Sequence, residues 1–316
     1  MPRRAIVLMN LGAPDRLDAV RPFLVNLFSD PAIIDLPAIL RWPVARLIAG
    51  RRAKLAKEIY GYLGGGSPLL ANTEAQARAL EAALGDGNRC FVAMRYWHPL
   101  TEETVAEVKA WEPDEIVCLP LYPQYSRATT GSSLAAWRMA AARQGLTVST
   151  RAVKSYPTAA GLVLALAGLI APALDAVAVN HEALRLLLTA HGLPLKIVDT
   201  GDPYPQQIVQ TAEAVIAALS RPDLDWMVCY QSRVGPLKWL GPATDDEIRR
   251  AGRDRVALVV APISFVSEHS ETLVELDRDY RRLAETCGVP TYHRVPTVGA
   301  DPRFIAALAE LVWNAA

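Results

Sequence analysis

The sequence predicts an α/β protein of two similar domains, each a parallel sheet flanked by helices. Short apolar runs such as residues 256–261 alternate with stretches of helical periodicity, as in strand–helix units. The runs are rich in β-branched residues and lack polar alternation, which is typical of strands buried on both faces. The second half of the chain repeats the order of the first. With 51% hydrophobic residues, 316 residues suffice for two cores.

The first half is predicted to contain three strands and several helices. The strands are residues 5–10, 90–94 and 115–119, and the helices are residues 17–28, 54–63, 73–84 and 102–111. The sequence GGGSP at residues 64–68 follows a helix and not a strand, so it fails the context test for a dinucleotide-binding loop. Residues 129–133 could open a helix whose amides face an anion, with simple capping as the competing interpretation.

Three pairs of segments carry the repeat. Residues 10–14 resemble residues 190–194, residues 91–99 resemble residues 228–236, and residues 118–121 resemble residues 260–263. Because the pairs occur in one order and lie at predicted strand ends, they predict two related domains. The predicted boundary gives domains of residues 1–158 and 159–316, with residues 159–174 as the connecting helix and the last helix packing back on the first domain.

Composition excludes several classes of function. Lys and Arg total 33 and Asp and Glu also total 33, so no basic excess favours nucleic acid. The four cysteines lie far apart without metal-site spacing and are interpreted as reduced thiols of a cytoplasmic protein. Residues 1–4 lead directly into a strand, so no signal peptide is expected, and no transmembrane span is predicted.

Residues 31–50 form an apolar segment interrupted by charges and by prolines at positions 31, 37 and 43. Those breakers argue against a spanning helix. Basic residues follow at positions 51, 52, 54 and 57, so this apolar lip could rest on an anionic bilayer. A lid packed on its own domain is the equally weighted alternative.

The segment after the strand at residues 256–261 carries unusual charge. Pro262 ends the strand, and a helix is predicted to begin near Ser267 as N-cap. Four acidic residues then follow at helical spacing, although like charges at such spacing oppose helix formation. These four residues form an acidic stripe, Glu268, Glu271, Glu275 and Asp279, and His269 lies within the same segment. A solvated helix face and a divalent-cation site are both consistent with this pattern.

His191 follows the predicted strand at residues 184–188. A lone histidine at a strand end is usually structural. Here His269 and Glu271 follow another strand of the same half, and parallel strands open on one edge of a sheet. The three side chains are therefore predicted to face a common cleft.

Several segments resemble the signature sequences of the ferrochelatase family. They cover nearly the whole chain: MNLG at residues 9–12, GGGSP at 64–68, YPQYSRATTGSS at 122–133, TAHGLP at 189–194, GDPYP at 201–205, CYQSRVGP at 229–236, WLGP at 239–242 and SEHSETL at 267–273. So many segments in order do not arise by chance.

The resemblance implies the chelatase fold, with two Rossmann-like domains and a porphyrin cleft between them, and insertion of Fe²⁺ into protoporphyrin IX in the terminal step of haem synthesis. His191 and Glu271 resemble the family's catalytic and metal-binding pair. Six positions resemble residues that line the porphyrin pocket, namely Asn10, Leu11, Arg95, Tyr122, Trp239 and Phe265. Four others resemble a metal or proton path, namely Glu268, His269, Glu275 and Asp279.

The resemblance also bears on cofactors and partners. Arg127 follows Ser126 and no cysteine follows Cys287, so no iron–sulfur cluster is expected, and Fe²⁺ is a substrate. Gly61 and Tyr62 occupy positions where many relatives carry propionate-binding arginines. The lip is expected to meet the inner face of the cell membrane, with protoporphyrinogen oxidase as a further partner. The alternatives are a coproporphyrin III ferrochelatase and a non-catalytic tetrapyrrole or metal carrier.

Overall fold

A computed structural model describes residues 2–180, 183–233, 235 and 237–315. The chain divides into two compact units. Unit 1 comprises Met1–Ser155 and Leu308–Ala316, and unit 2 comprises Tyr156–Ala307. Each unit contains a four-stranded sheet in which all strands are parallel. The α/β class predicted from the sequence is confirmed.

Unit 1 is organised around its central strand β1, whose Ile6, Val7 and Leu8 are fully buried. The strand order is β2-β1-β3-β4. The strands are β1 (Arg4–Asn10), β2 (Asn88–Met94), β3 (Glu115–Pro120) and β4 (Thr150–Ala152). The helices are α1 (Val20–Phe28), α2 (Ala38–Gly61), α3 (Leu69–Leu84), α4 (Thr101–Trp111) and a π-helix (Arg127–Gly131) that continues into α5 (Ser132–Gln144).

Unit 2 has the same strand order, β6-β5-β7-β8. Its strands are β5 (Leu184–His191), β6 (Asp225–Gln231), β7 (Ala257–Pro262) and β8 (Tyr292–Arg294). Its helices are α6 (Ala160–Ala178), α7 (Leu195–Val198), α8 (Tyr204–Leu219), α9 (Thr244–Asp254) and a second π-helix (Glu271–Asp279) that continues into α10 (Tyr280–Thr286). The last helix, α11 (Pro302–Trp313), begins in unit 2, and from Leu308 onward the chain belongs to unit 1.

The strand registers test the internal repeat residue by residue. Met9 of β1 pairs with Pro120, and Thr189 of β5 pairs with Pro262. Leu11 and His191 therefore occupy equivalent positions, as the sequence comparison predicts.

A second predicted equivalence, that of residues 91–99 with residues 228–236, is wrong, because the registers align Met94 with Tyr230 and not with Gln231. The amide of Met94 donates to the carbonyl of Pro99 at 2.8 Å, and the amide of Tyr230 donates to the carbonyl of Pro242 at 2.9 Å. Pro242 is thus the counterpart of Pro99, because unit 2 has a longer loop after its strand. Pro236, like Val234, lies outside the described residues.

The second part of the apolar lip is helical despite its prolines. Residues 38–50 belong to the long helix α2, which continues through Pro43. A proline removes one hydrogen bond, here to the carbonyl four residues earlier, on Ile39. Ile39 is 83% exposed, so water can pair with that carbonyl and the helix persists.

Among the described residues, one helix has the length and hydropathy of a membrane span, α6 at Ala160–Ala178. Half of its apolar window is buried within the protein. A core helix of a globular protein passes the same test, so this helix is weak evidence for a span.

Candidate active site

His191 and Glu271 meet at the carboxyl edge of the unit 2 sheet. His191 is the last residue of β5, and Glu271 is the first residue of the π-helix that follows β7. Because β5 and β7 are parallel neighbours, their ends lie side by side. Nδ1 of His191 is 2.9 Å from Oε2 of Glu271, and Nε2 of His269 is 3.7 Å from the same oxygen. The structure therefore gathers the three side chains that the sequence predicts to share a cleft.

The surroundings of His191 hold it in place. The Tyr204 hydroxyl donates to the His191 carbonyl at 3.0 Å, and the His191 amide donates to Oγ of Ser264 at 3.2 Å. The Phe265 ring lies edge-on to the imidazole at 6.4 Å between centroids, and 4.6 Å from the ring of His269. Neither Tyr204 nor Ser264 was predicted as a site residue, although Tyr204 belongs to the GDPYP segment. Both hydrogen bonds hold the backbone of His191.

The two central groups shift each other's protonation. Burial lowers the pKa of His191, but the charge and hydrogen bond of Glu271, together with the charge of Glu275, outweigh that effect and raise the net pKa above its ordinary value. Burial raises the pKa of Glu271, and the opposing charge and hydrogen bond of His191 bring it well below the usual range. Their side chains remain 41% and 29% exposed, so solutes can reach the pair.

The helix that carries Glu271 begins later than predicted. Ser267 lies in non-helical backbone, and the π-helix starts at Glu271 after Ser270. The reason is local hydrogen bonding: Oγ1 of Thr272 accepts from the amide of His269 at 2.9 Å, and the His269 carbonyl accepts from the amide of Leu273 at 2.9 Å. These contacts set the first turn at His269 and place Glu271 at the helix start.

Glu275 is the most strongly held member of the acidic stripe. Its carboxylate accepts from the Ser232 amide at 2.9 Å, from the Ser232 hydroxyl at 2.5 Å and from the Tyr280 hydroxyl at 3.1 Å. Nε2 of Gln231 donates both to Glu275 at 3.2 Å and to the carbonyl of Glu271 at 3.3 Å. Burial, together with the charge of Glu271, raises the pKa of Glu275. Glu271 and Glu275 are therefore consecutive carboxylates on one helix face.

The other two acidic residues have different surroundings. Oε1 of Glu268 is 2.8 Å from Nη1 of Arg294 and accepts from the Thr297 amide at 2.9 Å. The same arginine binds Asp277 at 2.7 Å. Asp279 is 54% exposed at the far end of the π-helix. The structure thus places Glu268 in an ion-pair network and Asp279 toward solvent.

A cleft of about 740 Å³ opens beside the π-helix in unit 2. The predicted site residues Trp239, Glu275 and Asp279 line it, together with Arg233, Asp245 and Tyr280. The loop carrying Trp239 is tied to the segment after His191, because the Leu195 amide donates to the Lys238 carbonyl at 2.9 Å and the Leu240 amide donates to the Leu193 carbonyl at 3.0 Å. This loop is longer than the corresponding loop of unit 1, which runs from Met94 to Pro99.

The predicted pocket residues of unit 1 cluster at the carboxyl edge of its own sheet. Asn10 ends β1, and its carbonyl accepts from the Arg95 amide at 2.9 Å. Its side chain accepts from the Leu11 amide at 2.8 Å and donates to Thr73 at 3.0 Å. Tyr122 follows β3, and burial raises the pKa of its hydroxyl. Asn10, Leu11 and Arg95 are therefore direct neighbours, and Tyr122 lies on the same edge.

No group of three His, Cys, Asp or Glu side chains is arranged to hold a metal ion in the part of the chain that the structure describes. His191 and Glu271 supply two donors of the nitrogen and oxygen types that first-row divalent metals accept. They form a partial ligand set.

Solved structures first define the class of protein. SirB from Bacillus subtilis with Fe³⁺ matches 98% of this chain over 93% of its own length, with a TM-score of 0.56 and 12% identity. A sirohydrochlorin chelatase SirB from Bacillus subtilis subspecies spizizenii in complex with cobalt matches 98% of the chain and 94% of its own length, with a TM-score of 0.57 and 11% identity. At such identities these structures show the fold alone, and that fold is the chelatase fold.

Sequence comparisons then define the family. The ferrochelatase family profile matches residues 3–316. A ferrochelatase of Caulobacter vibrioides (strain NA1000 / CB15N) is 55% identical over 98% of this chain and 89% of its own length. Those of Phenylobacterium zucineum (strain HLK1) and Wolbachia pipientis wMel are 56% and 45% identical, over 98% and 99% of this chain and 91% and 99% of their own lengths. The chain belongs to the ferrochelatase family and is a metal chelatase.

Proposed function

We propose that this protein inserts Fe²⁺ into protoporphyrin IX to give protohaem, and that His191 and Glu271 carry out the insertion. The observation that carries the proposal is the 2.9 Å contact between Nδ1 of His191 and Oε2 of Glu271 at the carboxyl edge of a chelatase sheet. Family membership supports the reaction, and the geometry supports these residues as its agents.

The chemistry of metallation explains why this pair suits the task. Two pyrrole protons must leave, and Fe²⁺ must exchange its water ligands for the four ring nitrogens. A neutral histidine can accept a proton, and a carboxylate can replace a water on the metal or stabilise the imidazolium that forms. His269 is proposed to pass the proton or the metal onward, and the support is its Nε2, which lies 3.7 Å from the same carboxylate oxygen.

Porphyrin contacts are proposed in both units. In unit 1 they are Asn10, Leu11, Arg95 and Tyr122, and in unit 2 they are Trp239 and Phe265. Support comes from their positions at the carboxyl edges of the sheets or in the loops that follow, where open α/β sheets bind ligands. Aromatic rings offer flat apolar surface to a flat macrocycle.

The acidic stripe is proposed as a path for the cation or for protons. Glu275 lies one helical turn from Glu271, and Asp279 lies one turn further toward solvent, with both lining the 740 Å³ cleft. Such a row of carboxylates attracts a divalent ion and can replace its water stepwise. The ion pair with Arg294 gives Glu268 a structural role, and its place in the path stays a prediction.

The protein is proposed to need no iron–sulfur cluster. Burial raises the pKa of Cys229 to about 12 and also raises the pKa values of Cys118 and Cys90, which disfavours the thiolates that ligate iron. Arg127 is part of a helical turn beside Ser126. Iron and sulfide analysis of protein purified without oxygen checks this, and stoichiometric amounts of both would overturn it.

The lip is proposed to attach the protein to the cytoplasmic face of the membrane, where protoporphyrinogen oxidase would be a partner. Ile39, Leu40 and Trp42 are 83%, 54% and 54% exposed near the start of α2. Arg46 stacks on Trp42 at 3.9 Å, so apolar and basic groups share one surface. This combination suits an anionic bilayer.

Anaerobic assays with protoporphyrin IX and coproporphyrin III side by side test the proposed substrate. We expect Fe²⁺ consumption and haem formation with protoporphyrin IX. Metallation of coproporphyrin III alone would assign the other substrate. Tight binding of both porphyrins without metallation would indicate a carrier and reject the enzyme.

A further inference from the structure

Asp30 is a buried carboxylate at the point where α1 ends and the lip begins, and it is 4% exposed. Its Oδ2 accepts from Nη2 of Arg95 at 2.6 Å, from the Tyr96 hydroxyl at 2.8 Å and from the Ser132 hydroxyl. Its Oδ1 accepts from the Ala32 amide at 2.8 Å. One side chain therefore joins the lip, the segment after β2 and the first residue of α5.

The contacts on Arg95 fix its guanidinium plane. Nη2 donates to Asp30, and Nε donates to Oγ of Ser132 at 2.7 Å. Nη1 makes no hydrogen bond within the described part of the chain, and the side chain is 21% exposed. Because a guanidinium is planar, two anchored nitrogens determine the direction of the third. Nη1 of Arg95 is thus a donor that points in a fixed direction and that the protein partners of Arg95 do not use.

Stability alone is a poor explanation for this arrangement. Removing two charges from water costs free energy that their attraction often fails to recover, and apolar side chains fill such a space at least as well. A carboxylate oxygen shared by three donors is more useful where it holds something in a set direction. The group it holds is one of the proposed porphyrin contacts.

We propose that Asp30 is a positioning residue for tetrapyrrole binding and acts through Arg95. This inference rests on the proposed function, which assigns Arg95 to the porphyrin pocket. Asp30 itself touches no substrate; it orients the guanidinium, with Ser132 as the second point of attachment. Loss of its negative charge leaves Arg95 present but free to rotate away.

A double-mutant cycle on porphyrin affinity tests the proposal. We expect Arg95→Ala and Asp30→Asn each to raise the Kd for protoporphyrin IX about tenfold, which is the loss of one charge-assisted contact. The double variant should bind no more weakly than Arg95→Ala, because Asp30 acts only through the arginine. The KM for Fe²⁺ should not change.

The chain offers a matched control and a milder variant. Glu115 is also paired with two arginines, Arg4 and Arg151, at the start of β3. Glu115→Gln should lower the melting temperature without changing porphyrin Kd. Ser132→Ala removes the Nε contact and one donor to Asp30 but keeps the pair of Arg95 and Asp30, so it should raise Kd a few-fold, and only when Arg95 is present. That variant carries the test if Asp30→Asn does not fold.

The outcomes distinguish failure of the positioning role from failure of the proposed function. An unchanged Kd in Asp30→Asn, or losses that multiply in the double variant, would overturn the positioning role while leaving the function intact. An unchanged Kd in Arg95→Ala would remove Arg95 from the pocket and the positioning role with it. Failure of the wild-type protein to metallate porphyrin would reject the proposed function itself.

Discussion

At the scale of single residues, the proposed chemistry depends on how strongly His191 and Glu271 are coupled. Parallel-strand logic is enough to predict that they meet, because both follow strands of one sheet. The residues that hold them were missed: Tyr204 and Gln231 lie in the family-like segments, but neither those segments nor Ser264 show which backbone or side-chain groups they contact. Asp30 was missed for a related reason: its partners come from three elements far apart in the chain.

The coupling predicts how the protonation of His191 depends on Glu271. In wild-type protein its pKa should lie above 6.5, and in Glu271→Gln it should fall, because burial then acts with less opposing charge. An NMR titration of the imidazole measures both values. Equal pKa values in the two proteins would show that the carboxylate does not govern the base.

The same shifts predict a pH window for stability. The raised pKa of His191 stabilises the folded state below the ordinary value of 6.5 and ceases to do so as pH rises through the folded-state value. The lowered pKa of Glu271 stabilises above 4.5 and is lost as pH falls through its folded-state value. The difference in unfolding free energy between wild type and Glu271→Gln should therefore be largest between 4.5 and 6.5. Denaturant unfolding across pH measures it, and a difference that grows above that window would contradict the pairing.

At the scale of elements, the two π-helices are what the sequence could not predict. Over a short segment the apolar spacing of a wider helix is nearly the same as that of an α-helix, so residues 271–279 read as an ordinary helix. The helix start was also displaced from Ser267, because Thr272 competes for the first turn. The like charges on this helix are nonetheless held in place. Ser232 and Tyr280 donate hydrogen bonds to Glu275, and Arg294 forms an ion pair with Asp277.

Arg294 should be a principal stabiliser of the π-helix. Its side chain is 9% exposed between Glu268 and Asp277, which are 22% and 32% exposed. We expect Arg294→Ala to cost about 2 kcal/mol, less than a fully buried pair because solvent reaches both carboxylates. Arg221→Ala, which breaks a surface pair with Asp175, should cost less than about 1 kcal/mol. If thermal unfolding shows equal losses of stability in Arg294→Ala and Arg221→Ala, Arg294 has no special role.

The acidic stripe makes a kinetic prediction. If Glu275 and Asp279 conduct a cation or protons, Glu275→Gln with Asp279→Asn should raise the KM for Fe²⁺ or lower kcat and leave porphyrin Kd unchanged. Relief of repulsion alone would only raise stability slightly. The exposed pair Glu102→Gln and Glu107→Gln on α4 is the control for lost charge. If the stripe variant has the same Fe²⁺ kinetics as the wild type, the stripe is only a solvated helix face.

At the scale of the whole molecule, the repeat was predicted in outline and misaligned in one place. The strand ends at Leu11 and His191 correspond as expected, because the buried strands keep their register. The equivalence of Pro99 failed, because the loop after β6 gained residues that strand patterning does not constrain. That loop carries Trp239, so the difference between the two units is itself part of the candidate site.

The exposed apolar residues of the lip make a prediction about membrane binding. Replacing Ile39, Leu40 and Trp42 with serine should weaken binding to anionic liposomes and leave activity on detergent-dispersed porphyrin intact. Serine at Met139, Leu164 and Val179, which are 52%, 51% and 81% exposed elsewhere, is the matched control. Sedimentation with liposomes measures the effect. Equal binding by all three proteins would place the membrane contact elsewhere or nowhere.

The central claim is that one protein binds porphyrin and uses His191 to metallate it. The most direct measurement compares anaerobic turnover and porphyrin Kd in wild type, His191→Ala and the control His98→Ala, whose imidazole is exposed beside Glu103. We expect His191→Ala to bind protoporphyrin IX with unchanged Kd and to lose 10²- to 10⁴-fold in turnover, as on removal of a general base. His98→Ala should match wild type. Retention by His191→Ala of more than about a tenth of wild-type turnover would contradict the account.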